Sequence, residues 1–416
     1  MQAPERWLAL LMLAMTPACA ADRGWSGTIE DSAGVAIVSN PDRGVWTVEP
    51  VVEREVDIGA AEGDSAYQFG QIASIAVGED SAVYVLDAQN RNVRVFDKAG
   101  RFVRRFGRPG TGPGELSQGP AAVLVVPGDT VLVPDIMRER ITRFSPEGEP
   151  IGTTLLPMSG GLSVRWATTS DHMLVQQTRA FPMGAATPSI SEDFLLLRDR
   201  HGVILDTLLA LPTGKSVQFQ SGSIPRVRLF DSEPVWILTS DDRIAFGVNT
   251  EYSIGLYSRD GTLERIIRRA SPQRPVTEAD RNAFLRFLRE GVTAQGLPPE
   301  QAQRFLDNVA FADFYPAFAA LLGGPDASLW VQRIQTAEDV AAAGGEFDAQ
   351  DVGSPTWDAF DADGRYLGPI ELPARFTPLI ARGDRLWGIW RDDLDVQHVL
   401  RLRVSGVWSA DPPTGG

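Results

Sequence analysis

The stretch from Gln68 to Gly100, QFGQIASIAVGEDSAVYVLDAQNRNVRVFDKAG, contains four short apolar runs separated by turn residues. It continues through RFVRRFGRPGTGPGEL (101–116) into a second copy of the same pattern, GPAAVLVVPGDTVLVPDIMRERITRFSPEG (119–148). A repeat of about 40 to 50 residues with four strands per copy is typical of a β-propeller blade. The sequence therefore predicts an all-β propeller built from four-stranded blades.

Recurring turn glycines indicate how many blades there are. In each candidate blade an aromatic or apolar residue is followed by a few polar residues and then a glycine, which supplies the positive φ of a tight turn between the third and fourth strands. Such turns end at Gly100, Gly148, Gly202, Gly261, Gly364 and Gly406. This pattern predicts six blades.

The interval between the fourth and fifth of these glycines is the longest, and its sequence favours an insertion over a seventh blade. Thr277 and Asp280 resemble a capping box that is followed by a helical apolar pattern. A second helix is predicted to start at Pro298-Pro299, because proline suits the first turn of a helix. We expect a helical hairpin at about 276–310, before blade five.

The end of the chain predicts how the ring closes. After Gly406 only Val407-Trp408 precede a Pro/Gly-rich tail, so the last blade lacks a fourth strand. EREVDIG (53–59) resembles RFVRRFG (101–107), the fourth strand of the first full blade. Because an open ring would expose strand edges, we expect residues about 52–58 to complete the blade made by Phe376 to Val404. We expect the strand at Val35–Ser39 to pair at the same seam.

Composition and charge fit one large folded domain at 51–408, with an N-terminal segment at 21–50 and a flexible tail at 409–416. The chain is 43% hydrophobic and 22% charged, with 40 Gly and 29 Pro, which is typical of a globular protein rich in turns. Its net charge of −15 repels nucleic acid, so we exclude nucleic acid as a partner.

The first twenty residues, MQAPERWLALLMLAMTPACA, have the charged start, apolar run and small-residue end of an export signal. The apolar run is too short to span a bilayer. Cleavage after Ala20 would release the protein into the periplasm or the medium. Alternatively, Cys19, the only cysteine, is the lipidation site of a lipoprotein and anchors the protein to a membrane surface. Either outcome leaves the mature fold without a disulfide.

The segment VYVLDAQNRNVRVFDKAGRFVRRFG (83–107) resembles an NHL repeat, which has the order strand, Asp, polar loop, strand, FD-x-x-G, strand. With its exported start, its DSAGVAIV segment (31–38) and its helical insertion, the whole chain resembles the bacterial six-bladed β-propeller proteins of the cell envelope. That resemblance implies binding more than chemistry.

Enzymes that resemble the NHL pattern hold a metal in the central channel. Propeller lyases acting on amidated peptides use zinc-binding histidines, whereas this chain has only the scattered His172, His201 and His398. Lactonase-like propellers use Glu, Asn and Asp. Here Asp87 and Asp135 occupy the turn position of the repeat, where an Asp caps its own loop. We therefore predict no metal or other cofactor.

Other catalytic patterns are missing from the sequence as well. There is no G-x-S-x-G motif, and the only cysteine is either removed or lipidated. The glycine-rich GRPGTGPGE (107–115) lacks the Gly-Lys-Ser/Thr ending of a P-loop and reads as a blade-to-blade loop. We predict no catalytic residue.

Arginines recur around the loops that follow the second strands, and these loops emerge on one face of a propeller. The residues are Arg91, Arg138, Arg140, Arg179, Arg333 and Arg391. Guanidinium groups bind carboxylates and phosphates through two parallel hydrogen bonds. These arginines therefore predict that one face of the propeller binds a polar or anionic ligand, such as an envelope glycan or a peptide terminus. In the alternative interpretation each arginine pairs with an acid nearby in sequence.

The sequence thus favours a non-enzymatic ligand- or protein-binding scaffold of the bacterial cell envelope. Two alternatives stay open. One is a metal-dependent hydrolase or lyase with its site in the central channel. The other is a sensor or assembly factor that docks a partner through the helical insertion.

Overall fold

The computed structural model describes residues 24–156, 162–179, 192–212, 217–218, 226–294, 296, 298–344, 352–406 and 408. The export signal with Cys19 and the tail at 409–416 lie outside these residues. None of the helices in the described ranges is long and apolar enough to cross a membrane.

Six antiparallel sheets form the blades of a propeller, as predicted. In hydrogen-bonded order, blades one to three comprise Ile72–Val77, Val83–Asp87, Asn92–Phe96, Phe102–Phe106; Leu124–Val126, Thr130–Asp135, Arg140–Phe144, Pro150–Leu155; and Leu162–Thr168, Leu174–Arg179, Glu192–Arg198, Ile204–Pro212. Blades four to six comprise Pro234–Leu238, Ile244–Val248, Ser253–Tyr257, Leu263–Arg269; Leu321–Gly323, Leu329–Ile334, Gly353–Phe360, Tyr366–Glu371; and Phe376–Arg382, Arg385–Arg391, Gln397–Ser405, Val51–Ile58.

The predicted turn glycines connect third and fourth strands in the first five blades. Gly100, Gly148, Gly202, Gly261 and Gly364 have φ values between 76° and 94°, a region that favours glycine. Gly406 does not have a positive φ. No tight turn is needed there, because the fourth strand of blade six comes from the N-terminal part of the chain.

The predicted closure of the ring is confirmed. The closing strand, Val51–Ile58, pairs antiparallel with Gln397–Ser405. Ion pairs reinforce this pairing: Glu55 accepts hydrogen bonds from Arg401 at 2.9 Å and Arg385 at 3.1 Å. The last blade is therefore completed by a segment more than 300 residues away in sequence.

The expectation for Val35–Ser39 was wrong. The strand Val35–Asn40 pairs in parallel with Leu263–Arg269, the fourth strand of blade four, and Thr28–Ser32 pairs on its outer side. The outer edge of the closing strand in blade six carries no further strand, and the segment pairs instead with the outer edge of blade four. Asn40 fixes the position: its Oδ1 accepts the backbone N–H of Tyr366 at 2.7 Å. The N-terminal segment thus passes outside blades four and five before closing blade six.

The predicted helical hairpin lies between blades four and five. Its helices are α1, Glu278–Ala294, and α2, Pro299–Asp307. The capping box at Thr277 and Asp280 is present: each side chain accepts a hydrogen bond from the backbone N–H of the other residue, at 3.3 and 2.8 Å.

Some elements were not predicted. A short helix, α3, spans Ala337–Ala342 after the second strand of blade five, and its Ala337 N–H donates to Asp280 Oδ1 at 2.8 Å. Further short strands are Arg108–Pro109 with Glu115–Leu116, and Val217–Gln218, Arg226–Leu229 and Val309–Phe311 in a small sheet beside the hairpin. Two short 3₁₀ turns, Ile136–Arg138 and Pro325–Ala327, complete the elements of the described part.

The hydrophobic core is divided among the interfaces between neighbouring blades. Each of the six interfaces, including the one between blade six and blade one, has its own cluster of buried apolar side chains. A seventh cluster attaches the insertion to the ring. In it Phe230 packs 4.7 Å from Phe284 and 4.4 Å from Tyr315, measured between ring centroids. The insertion is thus held to the ring by aromatic packing.

Candidate binding pocket between blades four and five

Several of the predicted arginines bind groups of the protein itself. Arg179 donates from Nε and Nη2 to the fully buried carboxylate of Asp193, each at 2.9 Å. Arg391 lies 3.2 Å from Asp395. Arg140 donates to backbone carbonyl groups of the connection before blade two at 2.8 to 3.3 Å. Arg179 and Arg391 therefore pair with acids, as in the alternative interpretation, whereas Arg140 binds backbone carbonyl groups and no acid among the described residues.

Arg91 and Arg138 lie in the loops after the second strands of blades one and two. Arg91 has a left-handed backbone with φ of 52°, and Arg138 ends a short 3₁₀ turn. Neither makes an ion pair within the described ranges. Of the six predicted residues, Arg333 alone lines the pocket described below.

Buried aspartates orient polar groups in several blades. Asp87 caps its own loop as predicted, accepting the Asn90 N–H at 3.0 Å, and it also binds the buried Arg94 at 3.1 Å. Asp135 differs from the prediction: it accepts hydrogen bonds from the N–H and hydroxyl of Ser117, at 3.0 and 2.6 Å. It therefore holds the preceding connection and not its own loop.

The histidines do not converge. His172 and His201 lie in turns of blade three, whereas His398 lies in the third strand of blade six, with Nδ1 2.6 Å from Asp57 of the closing strand. No group of three or more His, Cys, Asp or Glu residues with the geometry of a metal site occurs in the described part of the chain.

A pocket of about 620 Å³ lies where blade four, blade five, the insertion and the N-terminal segment meet. We call it the blade 4–5 pocket. Its charged lining residues are Arg268, Arg269, Arg274, Arg333, Asp42, Glu251 and Asp358. Polar side chains also line it, namely Thr250, Ser253, Ser271 and Gln273.

Asp358 is the centre of the hydrogen-bond network beneath this pocket. Its fully buried carboxylate accepts from Tyr252 Oη at 2.9 Å and Arg269 Nη1 at 3.0 Å on Oδ2. Oδ1 accepts from Arg333 Nε and Nη2, at 3.0 and 2.7 Å, and from Tyr366 Oη at 2.9 Å. Five hydrogen bonds occupy both oxygens. Asp358 is therefore a fixed structural anion.

The same network determines the protonation of its members. Burial, and then the charge of Asp358, raise the pKa of Tyr252 well above its usual range, and the same two causes raise the pKa of Tyr366. Burial is the largest single influence on Arg333 and disfavours its charged form, but the hydrogen bonds to Asp358, the charge of Asp358 and the interactions with Tyr366 together outweigh burial and raise the pKa of Arg333. Both tyrosines remain neutral hydrogen-bond donors, and Arg333 remains a cation.

The network leaves positive charge facing the pocket. Arg269 and Arg333 share the single carboxylate of Asp358, so one positive charge is not compensated. The Arg269 guanidinium also lies 4.5 Å from the ring centroid of Tyr366. Arg274 Nη2 lies 2.6 Å from Asp339 Oδ2. Arg274 Nη1 donates a hydrogen bond of 3.3 Å to the backbone carbonyl of Ile334, the residue that follows Arg333. Positive charge is therefore concentrated on the side of the pocket formed by Arg269 and Arg333, although Asp42 and Glu251 also line it.

Sequence reasoning identified Arg333 but missed the other members of this network. Arg269 ends the fourth strand of blade four, Tyr252 precedes its third strand, and Asp358 lies within a strand of blade five. A detectable signal was the isolated aspartate in the otherwise apolar run TWDAF (356–360), since a buried carboxylate requires charged or polar partners.

Comparisons with known proteins agree on the fold. Residues 62–210 match the family model DUF5128, described as a 6-bladed beta-propeller. No curated protein matches the chain significantly. A Bacteroides fragilis NCTC 9343 protein that is assumed to be exported matches with a TM-score of 0.50 and 13% identity, covering 89% of this chain and 100% of its own.

Two further solved structures are similar. A DUF4221 member from Bacteroides vulgatus ATCC 8482 has a TM-score of 0.50 and 10% identity over 86% of this chain and 99% of its own. A catalytically inactive virginiamycin B lyase from Staphylococcus aureus has a TM-score of 0.43 and 11% identity over 85% and 99%. The two Bacteroides structures indicate a shared architecture and carry no argument about activity. The chain thus has the fold of a six-bladed β-propeller, and its residues 62–210 resemble the DUF5128 family.

Proposed function

We propose that this protein is an exported, non-enzymatic binding propeller of the bacterial cell envelope, and that its ligand is an anion held in the blade 4–5 pocket. The observation that carries the proposal is the network around Asp358, which fixes Arg269 and Arg333 and leaves uncompensated positive charge beside a pocket of about 620 Å³. Pockets of 300 to 1,000 Å³ suit small molecules.

The chemistry of the network favours binding over acid–base catalysis. A general acid or base must be free to exchange a proton with the substrate. Asp358 is saturated by five hydrogen bonds, and the hydroxyl groups of Tyr252 and Tyr366 are committed to it. Their raised pKa values further oppose proton release. What the network offers to a ligand is fixed positive charge.

The insertion contributes to the same site. Tyr315 and Pro316, which follow the hairpin, and Gln273 and Arg274, which precede it, all line the pocket. The bond from Ala337 to Asp280 ties α1 to α3. The segments on either side of the hairpin therefore form part of the pocket wall, which is consistent with a role in selecting the ligand.

Export is supported by the N-terminal sequence and by the similarity to a Bacteroides protein assumed to be exported. Mass spectrometry of the protein from its native host would test it. A mature chain beginning at Ala21, or an acylated chain beginning at Cys19, is expected. An intact N-terminal Met1 would contradict export.

The binding proposal is tested by thermal unfolding of the purified protein with a panel of small carboxylates, phosphates and acidic peptides. We expect at least one class to raise the unfolding temperature of the wild type, because a ligand that binds only the folded state stabilises it. Arg333→Gln should lose this shift. Arg200→Gln, an exposed arginine in a turn on the opposite face, should retain it. If Arg333→Gln retains every ligand-dependent shift, the pocket is not the site.

A further inference from the structure

The blade 4–5 pocket differs from most small-molecule sites in the character of its walls. Such sites are usually lined mainly by hydrophobic side chains. Here most lining residues are polar or charged. Among the described residues, the side chains of Thr250, Ser253, Ser271 and Gln273 make no hydrogen bond to the protein. Their hydroxyl and carboxamide groups are available to a ligand that carries many hydroxyl groups.

The arginines on one side of the pocket have the charge and the hydrogen-bond donors to bind one carboxylate group of a ligand. Arg333 and Arg274 have side chains that are 39% and 40% exposed. Arg274 is bonded to the backbone carbonyl of Ile334, the residue that follows Arg333, so the two arginines belong to the same part of the lining. A guanidinium edge binds a carboxylate through two parallel hydrogen bonds. Counting Asp339, which pairs with Arg274, the four arginines of the pocket are matched by four carboxylates. What the pocket offers a carboxylate is therefore the local positive charge of Arg269 and Arg333, which share Asp358.

Two carboxylates of the lining disfavour multiply charged ligands. Asp42 belongs to the N-terminal segment, and Glu251 is exposed in the loop before the third strand of blade four. They would repel a phosphate-rich or polyacidic molecule. A carboxylate also accepts hydrogen bonds from sugar hydroxyl groups. The lining also contains Pro272, Pro316 and Ala317, whose apolar surfaces can face the C–H groups of a sugar ring.

From these features we infer that the blade 4–5 pocket binds a carboxylated sugar, with the carboxylate at Arg333 and Arg274 and the hydroxyl groups on the polar side chains. This inference rests on the proposed function, because it specifies the anion for the same pocket. The monomer and the acidic end of an oligosaccharide present the same chemistry, and the pocket volume admits either.

Isothermal titration with glucuronate, galacturonate and short oligogalacturonides tests the inference. Galactose supplies the hydroxyl groups without the charge, propionate the charge without the hydroxyl groups, and inorganic phosphate a dianion. We expect a uronate to bind at least tenfold more tightly than galactose, propionate or phosphate. Stronger binding of an oligomer than of the monomer would identify a polysaccharide as the source.

Two kinds of variant locate the site. Arg333→Gln should weaken uronate binding roughly 10- to 100-fold, since it removes charge-assisted hydrogen bonds. Ser271→Trp should block the pocket with every arginine retained, which keeps the test valid if Arg333→Gln does not fold. Ser32→Trp, at an exposed position on the outermost strand, is the matched control and should bind normally.

Each alternative result overturns a defined part of the reasoning. Absence of uronate binding, or equal binding of galactose, refutes the carboxylated sugar. Arginine-dependent binding of propionate or phosphate as tight as that of a uronate refutes the sugar but leaves an anion-binding protein. Uronate binding unaffected by both Arg333→Gln and Ser271→Trp refutes the pocket, and with it the proposed site.

Discussion

Asp358→Asn is the most informative perturbation of the ring, because it removes one charge while preserving the size of the side chain. In the wild type the carboxylate accepts hydrogen bonds from two arginines and two tyrosines. The asparagine amide keeps one acceptor oxygen, but its NH₂ group replaces the other. That NH₂ group would face two donors, leaving guanidinium and hydroxyl groups without partners.

The magnitude follows from burial. Asp358 has no exposed surface, and the side chains of its partners Arg269 and Arg333 are 14% and 39% exposed. Removing one partner of a buried ion pair costs about 3 to 5 kcal/mol. Because Arg333 is partly solvated and can recover water, we expect Asp358→Asn to lie near the lower end, about 3 kcal/mol.

Urea unfolding, followed by tryptophan fluorescence and by circular dichroism, measures this difference in the free energy of unfolding. The midpoint should fall with little change in the denaturant slope. Asp384→Asn is the control, because its contact with Arg385 at 2.8 Å joins side chains that are 50% and 41% exposed. The control should change stability by less than about 1 kcal/mol. A loss below about 1 kcal/mol for Asp358→Asn would refute the view that the network is a tightly coupled buried unit.

Three further predictions concern the ring and its turns. A chain starting at residue 59 lacks the closing strand and exposes the edge of Gln397–Ser405. Compared with a chain starting at Pro50, it should associate more in size-exclusion chromatography and unfold less cooperatively. Both chains lack Val35–Asn40 and expose the edge of Leu263–Arg269, so equal behaviour of the two would contradict closure by Val51–Ile58. Burial opposes ionisation of Asp280, but its hydrogen bonds with Thr277 and Ala337 outweigh burial and lower its pKa. Its stabilising contribution is therefore present above the ordinary Asp range of about 3.9 and lost as the pH falls through its lower folded value. The acid limb of the stability curve should be flatter in Asp280→Asn, and an unchanged limb would count against this assignment. In Gly148→Ala the new Cβ would lie 2.6 Å from the Phe106 ring at a φ of 94°, whereas Gly128 has a φ of 70° and open space around it. Thermal unfolding should show a larger loss for Gly148→Ala than for Gly128→Ala, for which backbone strain alone costs about 1 to 2 kcal/mol; equal losses would exclude a clash with Phe106.

The fold was predictable wherever the information is local or repeated. A turn glycine, a capping box and a proline at the start of a helix each act within a few residues, and six copies of one pattern reinforce each other. The pairing of Val35–Asn40 with Leu263–Arg269 has no such signal. It is a parallel pairing between segments more than 200 residues apart, and any exposed outer strand offers the same backbone groups. The structure of the whole ring is needed to show which outer strand edge pairs with the N-terminal strand.

The site was less predictable, because its location depends on a charge imbalance between blades. A buried aspartate binds an arginine in blade one, through Asp87 and Arg94, and in blade three, through Asp193 and Arg179. In both cases the two partners belong to the same blade. At Asp358 a second arginine arrives from the neighbouring blade. Its presence depends on how blades four and five pack, and sequence spacing within a blade does not report that.

This second arginine distinguishes the network of Asp358 from the one-to-one ion pairs of blades one and three. A carboxylate with one guanidinium is electrically neutral and presents little charge to a ligand. With two guanidiniums it fixes a cation at the surface, and the five hydrogen bonds of Asp358 hold that cation in place without help from a ligand. Such preorganisation lowers the entropic cost of binding. We therefore propose that Asp358, besides contributing to stability, holds Arg269 and Arg333 in positions from which they can bind an anion.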